Sequence, residues 1–443
     1  MADIVICGAG IAGISAAYHL AVKRNFKNIV LVDERPPMSL TSDKSTEAYR
    51  NWWPGPDNAM VAFMNRSIDL IDEIARATHN AIHLNRRGYL YCTGDPVRIP
   101  NFIQAAQLAA QQGAGPVRLN DYADANAADL ADGADVLTDP VLIRQRFPWL
   151  SESTAAVIHA RRCGWFSSTE LGSWLLDQAR AAGVELINDK VIGVDHAGGR
   201  VRGVRLGSGR SLPTGLFVDA AGPFVAEVAR YLDLDLPIYS ERHTKIAFRD
   251  QLNVVPRNAP LTIWVDEQTL GWSAAERALL AEDAETKWMT ERLPGGVHLR
   301  PEGGEGSNVL LMLWAYDAHP VPVVVPPEFD PSFTDIVLRG LATMVPGLKP
   351  YWVNAPKPMM DGGYYTKTKE NRFLVGPLPI EGAYLMGAFS GYGLMAAPAA
   401  GELLAAHIAG DRLPDYAPAF LLSRYADPEY VKRLESWGEM GQL

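Results

Sequence analysis

Asp3-Ile4-Val5-Ile6-Cys7-Gly8-Ala9-Gly10-Ile11-Ala12-Gly13 is the stretch on which the fold turns. Ile4 to Cys7 is an apolar run too short for a helix, and it fits a strand buried on both faces. Glycines at 8, 10 and 13 then spell GxGxxG, and Ile11 to Val22 follows with the composition of a helix. A second apolar run, Ile29-Val30-Leu31-Val32, closes at Asp33. Strand, glycine turn, helix and strand make a βαβ unit, which requires the two strands to be parallel. In such a unit Gly8 permits the tight turn, Gly10 lets a pyrophosphate reach the backbone, and Gly13 lets the helix lie close to the strand. The helix N-terminus then faces the phosphates. Asp33 stands where a carboxylate accepts hydrogen bonds from ribose hydroxyls and repels a ribose phosphate. A dinucleotide is predicted, and its identity stays open between FAD and NAD.

The remaining chain must complete that sheet. Pro36 to Pro56 is irregular and polar, and a connection of this length inside a compact domain is expected to serve the site. Val61, Met64, Ile68, Ile71 and Ile74 then recur at helical spacing between Asn58 and Ala77. Residues 88–163 read as short strands joined by polar, alanine-rich turns, and Ser168 with Glu170 reads as the start of a helix running to about Ala182. Val201, Val204, Leu206 and Leu212 alternate as in a strand pair, and Leu216-Phe217-Val218-Asp219-Ala220-Ala221-Gly222 is a buried strand entering a small-residue turn. From Pro237 to about Pro358 aromatic-rich strands with an inserted helix near Ala274 to Arg292 predict a separate antiparallel sheet. Strand and glycine turn return at Tyr384-Leu385-Met386-Gly387, Gly391 and Gly393, before a helix from Ala399 to Ala409. The expected fold class is α/β, α+β overall. A Rossmann-type nucleotide-binding domain is assembled from 1–87, 151–236 and 359–443, and a discontinuous second domain, 88–150 and 237–358, is built on a mostly antiparallel sheet.

With 443 residues, 48% of them hydrophobic, the chain can bury a large core. A net charge of -10 denies a nucleic acid the diffuse basic field it needs, so no nucleic-acid partner is expected. No apolar stretch is long enough to span a bilayer, and no membrane partner is expected. Cys7, Cys92 and Cys163 have no paired or metal-ligand spacing. No metal is expected, and with a strand beginning at residue 4 no targeting segment is left over, so a cytoplasmic location is expected.

Three further segments carry a resemblance. Phe217-Val218-Asp219-Ala220-Ala221-Gly222 resembles the V-x-A-A-G strand and turn of the D-amino-acid oxidase superfamily of flavoproteins, the group of glycine oxidase, sarcosine oxidase and dimethylglycine dehydrogenase. Gly363 to Gly376 is similar to that group's penultimate flavin segment, and Gly387-Ala388-Phe389-Ser390-Gly391-Tyr392-Gly393-Leu394-Met395-Ala396-Ala397-Pro398 to its closing glycine motif. Glycines ahead of a helix offer amides and a positive dipole end to an isoalloxazine ring, which a plain NAD enzyme would not need. The resemblance implies FAD, held non-covalently, in a flavin domain packed against a sheet domain, with substrate between ring and sheet. Its implied cofactor contacts are Gly8, Gly10, Ile11, Ala12, Gly13, Asp33, Glu34, Ser45, Thr46, Val191, Ala221, Gly222, Gly387, Gly391, Tyr392, Gly393, Leu394 and Met395.

The implied reaction is oxidation of a C–N bond in a small amine or amino acid by hydride transfer to flavin, the imine then being hydrolysed. Molecular oxygen or another acceptor takes the electrons. Oxidation of a C–O bond in a 2-hydroxy acid or polyol phosphate, and a non-catalytic flavoprotein, are the alternatives. Two carboxylate anchors of the family are replaced: Met395 stands at the lysine position after the closing glycines, and Tyr365 at the arginine position of the penultimate segment. Arg50, which ends Thr46-Glu47-Ala48-Tyr49-Arg50, resembles the arginine that sarcosine oxidases place beside the flavin. Lys245 and Lys367 are further cations, and Lys245 also matches a role in assisting oxygen reduction; a solvated surface charge is the alternative for each. Trp52, Trp53, Tyr364, Tyr365 and Tyr392 form either an aromatic-walled site or core. His243 is a proton acceptor or a structural histidine.

Overall fold

The computed structural model describes residues 2–53, 55–122, 132–304 and 306–436; the outer limits expected for the first domain, residues 1 and 443, lie outside them. Two sheets dominate. The first has six strands in the order Leu374–Pro377, Ala383–Gly387, Leu216–Asp219, Ile4–Cys7, Ile29–Asp33 and Glu185–Asn188. All neighbours are parallel except the antiparallel edge pair Leu374–Pro377 and Ala383–Gly387. Period-two alternation sends Ile4, Ile6, Ile29 and Leu31 to one face, where they meet the helices Ile11–Tyr18, Ala59–Ala77, Ser168–Ala181 and Gly393–Ala409. Val5, Cys7, Val30 and Val32 point to the other face, against the three-stranded antiparallel sheet Val191–Ala197, Arg200–Leu206 and Ser211–Pro213. Both faces are covered, which is why these strands read as unbroken apolar runs. Each fully buried Ile or Val contributes roughly 1.5–3 kcal/mol.

The second sheet has nine strands, in the order Met359–Thr368, Ile238–Arg249, Val309–Leu313, Val297–Glu302, Leu261–Trp264, Tyr89–Thr93, Ala156–Ala160, Ala134–Leu137 and Val117–Leu119. It is antiparallel except at two pairs, Leu261–Trp264 with Tyr89–Thr93 and Val117–Leu119 with Ala134–Leu137. Ala156–Ala160 and Met359–Thr368, which the expected boundaries place with the nucleotide half, pair into this sheet.

Several local expectations need correction. The helix near residue 168 is capped by Ser167, whose hydroxyl accepts from the Glu170 amide at 3.3 Å. Ser168 is instead buried, and its amide donates to the Glu47 carboxylate at 2.8 Å. The last long helix begins at Gly393, not Ala399, because Pro398 sits inside it without ending it. The inserted helix stops at Glu282, before a short turn at Lys287–Thr290. Helices Ile99–Ala109 and Phe333–Met344 occupy stretches read as strand and turn. Phe333, Ile336, Val337 and Leu341 cover the large sheet, so this helix was hidden by the apolar runs around it.

Candidate active site

A groove of about 270 Å³ runs along the carboxyl ends of the parallel strands. It opens between Ile4–Cys7 and Leu216–Asp219, whose crossovers depart to opposite sides, the switch point at which open α/β sheets bind ligands. Gly8 has φ +103, and a Cβ there would collide with the Ala220 carbonyl. A Cβ on Gly13 would run into the Gly8 carbonyl, so this residue packs helix on turn and does not line the groove. Gly10 is different: its Cβ would meet only the Ser42 hydroxyl, at 3.1 Å, leaving open space beside the helix N-terminus. That is the cradle a pyrophosphate needs.

Of the other expected cofactor residues, Ile11, Ala12, Asp33, Glu34, Ser45, Val191, Ala221, Gly222, Gly387, Gly391, Gly393 and Leu394 line this groove. The Asp33 carboxylate already accepts from the Ala9 and Arg35 amides, at 2.7 and 2.8 Å, which aims it along the turn. Ser42 was missed by the sequence reading. Its hydroxyl accepts from the Ile11 amide at 3.0 Å, so the polar segment after Pro36 reaches the glycine turn. Beneath the groove Asp219 is buried; desolvation pushes its carboxyl well above the usual range, and its Oδ1 accepts from the Ala221 amide.

Thr46, Tyr392 and Met395, also expected at the cofactor, line a second cavity of about 440 Å³ instead. The difference is one of register: at the helix start Gly391, Gly393 and Leu394 border the groove while Tyr392 and Met395 border the second cavity, and past Ser45 the chain enters the short strand Ala48–Arg50. That strand pairs with Cys163–Trp165 and is tied down by Glu47, whose carboxylate meets Ser168 and the buried Arg300. Ala48 and Arg50 therefore share one face, toward the second cavity. Arg50 is 4% exposed, which excludes a surface charge. Its guanidinium stacks over Trp53 at 4.2 Å and donates to the Tyr91 hydroxyl at 3.1 Å. Trp52 and Trp53 are core residues behind it. Tyr392 packs edge-on against Trp53 and donates its hydroxyl to the Asn371 carbonyl.

The two cavities share His243, Leu313, Tyr365 and Gly391. Tyr365 stacks on His243 with ring centroids 3.6 Å apart, and burial pushes its hydroxyl up to about 12. A side chain on Gly391 would strike the Tyr365 ring. Lys245, on the same face of Ile238–Arg249, lines the groove and donates to the Ser45 carbonyl at 2.9 Å; burial lowers its ammonium below the ordinary range. Lys367 is not a surface charge either, since it pairs with Glu241 at 3.0 Å. Glu241 and His298 line the second cavity and were not singled out from sequence. Desolvation holds His298 down to about 4, while its Nδ1 donates to the Gly296 carbonyl at 2.8 Å. Alternation along Tyr239, Glu241, His243 and Lys245 was the available signal for Glu241.

A Rossmann groove joined to a second cavity on an antiparallel sheet defines the class of a dinucleotide-binding protein with room for another ligand beside the cofactor groove. Residues 3–407 match the family model described as FAD dependent oxidoreductase, and the chain belongs to that family. It is an oxidoreductase and its cofactor is FAD. Solved structures with the same fold include L-proline dehydrogenase from P. horikoshii, at 20% identity and TM-score 0.73, covering 98% of each chain. Glycine oxidase from Geobacillus kaustophilus aligns at 17% identity and TM-score 0.73, over 95% of this chain and 98% of that one. Iminodiacetate oxidase from Chelativorans sp. BNC1 aligns at 18% identity and TM-score 0.70, over 95% and 98%. A search of curated proteins returned no match. Among the described residues no helix is long and apolar enough to cross a membrane, and no cluster of His, Cys, Asp and Glu is arranged to hold a metal.

Proposed function

We propose that this protein oxidises a C–N bond of a small amine or amino acid, with the substrate held in the second cavity. The observation that carries the reading is the junction itself: one cavity, lined by Arg50, Tyr89, His298 and Tyr392, meets the flavin groove at His243, Tyr365 and Gly391. A cavity of about 440 Å³ weighs against a scaffold protein with a collapsed site. Bound FAD supplies the hydride acceptor. Gly8, Gly10 and the helix amides would hold its pyrophosphate, Asp33 its ribose, and the Gly387–Leu394 turn its ring. Arg50 anchors a substrate carboxylate, and the stacked aromatic walls orient the amine. Lys245 places a buried cation on the groove side of the junction, where it would assist an oxygen acceptor. Buried, unpaired thiols at Cys7, Cys92 and Cys163 support a reducing, cytoplasmic setting.

A panel of primary, secondary and carboxylate-bearing amines mixed with the yellow protein without oxygen tests this. Bleaching of the flavin by at least one amine is the expected result, and peroxide formed on readmitting air distinguishes oxygen from another acceptor. Bleaching by 2-hydroxy acids and by no amine would overturn the proposal.

A further inference from the structure

No acid/base constellation stands out along the sequence, yet the fold builds one. The strands Ile238–Arg249 and Met359–Thr368 pair antiparallel with Glu241 opposite Tyr365 and Tyr239 opposite Lys367. Period-two alternation puts Glu241, His243 and Lys245 on one face beside Tyr365 and Lys367. Glu241 is 4% exposed, and its carboxylate lies 3.3 Å from His243 Nε2 and 3.0 Å from Lys367 Nζ. Burial opposes ionisation of Glu241, but the hydrogen bonds from His243 and Lys367 outweigh it and hold the group below the usual carboxylate range. An ionised carboxylate only accepts, so the proton between the two side chains belongs to Nε2. His243 is neutral near pH 7, because desolvation lowers it more than Glu241 raises it. A neutral ring with Nε2–H has its lone pair on Nδ1, which has no hydrogen-bond partner among the described residues. His243 is one of the four residues that line both cavities.

We infer that His243 Nδ1 is the base that takes the ammonium proton of the bound amine, and that Glu241, held by Lys367, is the positioning residue that fixes the tautomer for it. The inference rests on the C–N reading above. The N–H proton of the substrate moves to Nδ1, leaving the nitrogen lone pair on the substrate. The resulting imidazolium keeps its Nε2–H on the Glu241 carboxylate, and the proton later passes to water in the second cavity. The freed lone pair then drives departure of the hydride from the adjacent carbon. Lys245 on the same strand, Tyr365, Lys367, Lys369 and Asp361 on or just beyond the neighbouring strand, His298 on Val297–Glu302, and Arg50, Tyr89, Arg98 and Tyr392 around the cavity are the other titratable or charged groups on the elements packed about this ring. Glu241 is the carboxylate hydrogen-bonded to the ring, so it favours the imidazolium, and the charge on Lys367 opposes it.

The test uses the FAD-loaded enzyme, its Glu241→Gln, Glu241→Asp and His243→Asn variants, and the amine that best bleaches the wild type. Flavin reduction is followed by rapid mixing across the range from about pH 6 to the pKa of the amine. At pH 7, His243→Asn and Glu241→Gln are expected to slow reduction at limiting substrate about 100-fold, and the deficit should shrink tenfold per pH unit toward the amine pKa. Glu241→Asp, which keeps the anion, should restore most of the rate. The ¹⁵N NMR signals of histidine-labelled wild type, with His243 assigned from its variant, should show the proton on Nε2. Wild-type and variant profiles that run parallel, with bleaching retained, overturn the assignment of His243 and Glu241 and leave amine oxidation standing. No bleaching of the wild type by any amine overturns the C–N reading itself. Where a variant does not hold FAD, the wild-type spectrum decides, and a proton on Nδ1 refutes the proposal.

Discussion

Gly10 and Gly13 separate two duties that one motif combines. A side chain on Gly13 would enter the Gly8 carbonyl, which is backbone and cannot swing away, whereas one on Gly10 meets only the Ser42 hydroxyl at 3.1 Å. Gly13→Ala is therefore expected to lower expression and thermal stability, and Gly10→Val to yield a folded, colourless protein; circular dichroism with absorbance at the flavin band distinguishes them. If Gly10→Val stays yellow, the pyrophosphate does not lie there. On the proposed anchoring role, Arg50→Ala would remove a charge-assisted hydrogen bond of about 1.5–3 kcal/mol to a desolvated carboxylate, so kcat/KM on a carboxylate-bearing amine should fall roughly 10- to 100-fold with FAD retained. An unchanged kcat/KM on that substrate would refute the anchor. Asp219 gives a pH test. Burial raises its folded carboxyl above the unfolded value near 3.9, so the folded state holds the extra proton and stability is full below about pH 4, then declines as pH rises toward the folded pKa. Asp219→Asn cannot titrate. Its midpoint in urea, relative to wild type, should improve between pH 5 and pH 8; a pH-independent difference would show that the carboxyl is not strained by burial.

The elements were legible where sequence and burial agree. Ile4–Cys7, Ile29–Asp33 and Leu216–Asp219 are buried apolar runs bounded by glycine or acid, so their type follows from the chain alone, as does the parallel pairing of the first two; the place of the third beside Ile4–Cys7 does not. Ala59–Ala77 shows its apolar stripe plainly. Gly393–Ala409 did not, because Pro398 and Gly401 in a helix interior read as punctuation, while here close packing against Ser15 and Ser67 tolerates them. At the site, residues inside a motif were readable, and those brought together by register were not. Glu241 and Lys367 are 126 positions apart and meet only because two strands pair in one particular alignment. Capping is testable at this scale. Ser167→Ala leaves the Glu170 amide without its acceptor and should cost about 1 kcal/mol, read as a lower denaturation midpoint with unchanged flavin content. The same change at Ser168, which contacts Glu47 beneath the Arg50 strand, should disturb substrate affinity as well.

Across the whole molecule, the flavin is expected to be released by acid or heat. By the resemblance described above, Gly363 takes the place where a cysteine would attach FAD, and no histidine lies between Arg35 and Trp53. Cys7 lines the groove, but burial and the neighbouring Asp219 push its thiol up, which makes it a poor nucleophile. Yellow colour should stay in the supernatant after precipitation, and colour fixed in a washed, denatured pellet would sink the claim. Added FAD should also raise the melting temperature, by the mass action of a ligand that binds only the folded state. The groove draws its walls from residues 7–45, 189–228, 243–245, 313, 363–366 and 386–394. Strand Ile4–Cys7 waits for Leu216–Asp219 to become its neighbour, and that strand waits for Ala383–Gly387. A nascent chain leaving the ribosome therefore has no complete place to keep a flavin until Leu394 has emerged, and until Leu216–Asp219 follows, its first strand, paired with Ile29–Asp33 on one side, keeps the other edge open to chaperones or to premature association.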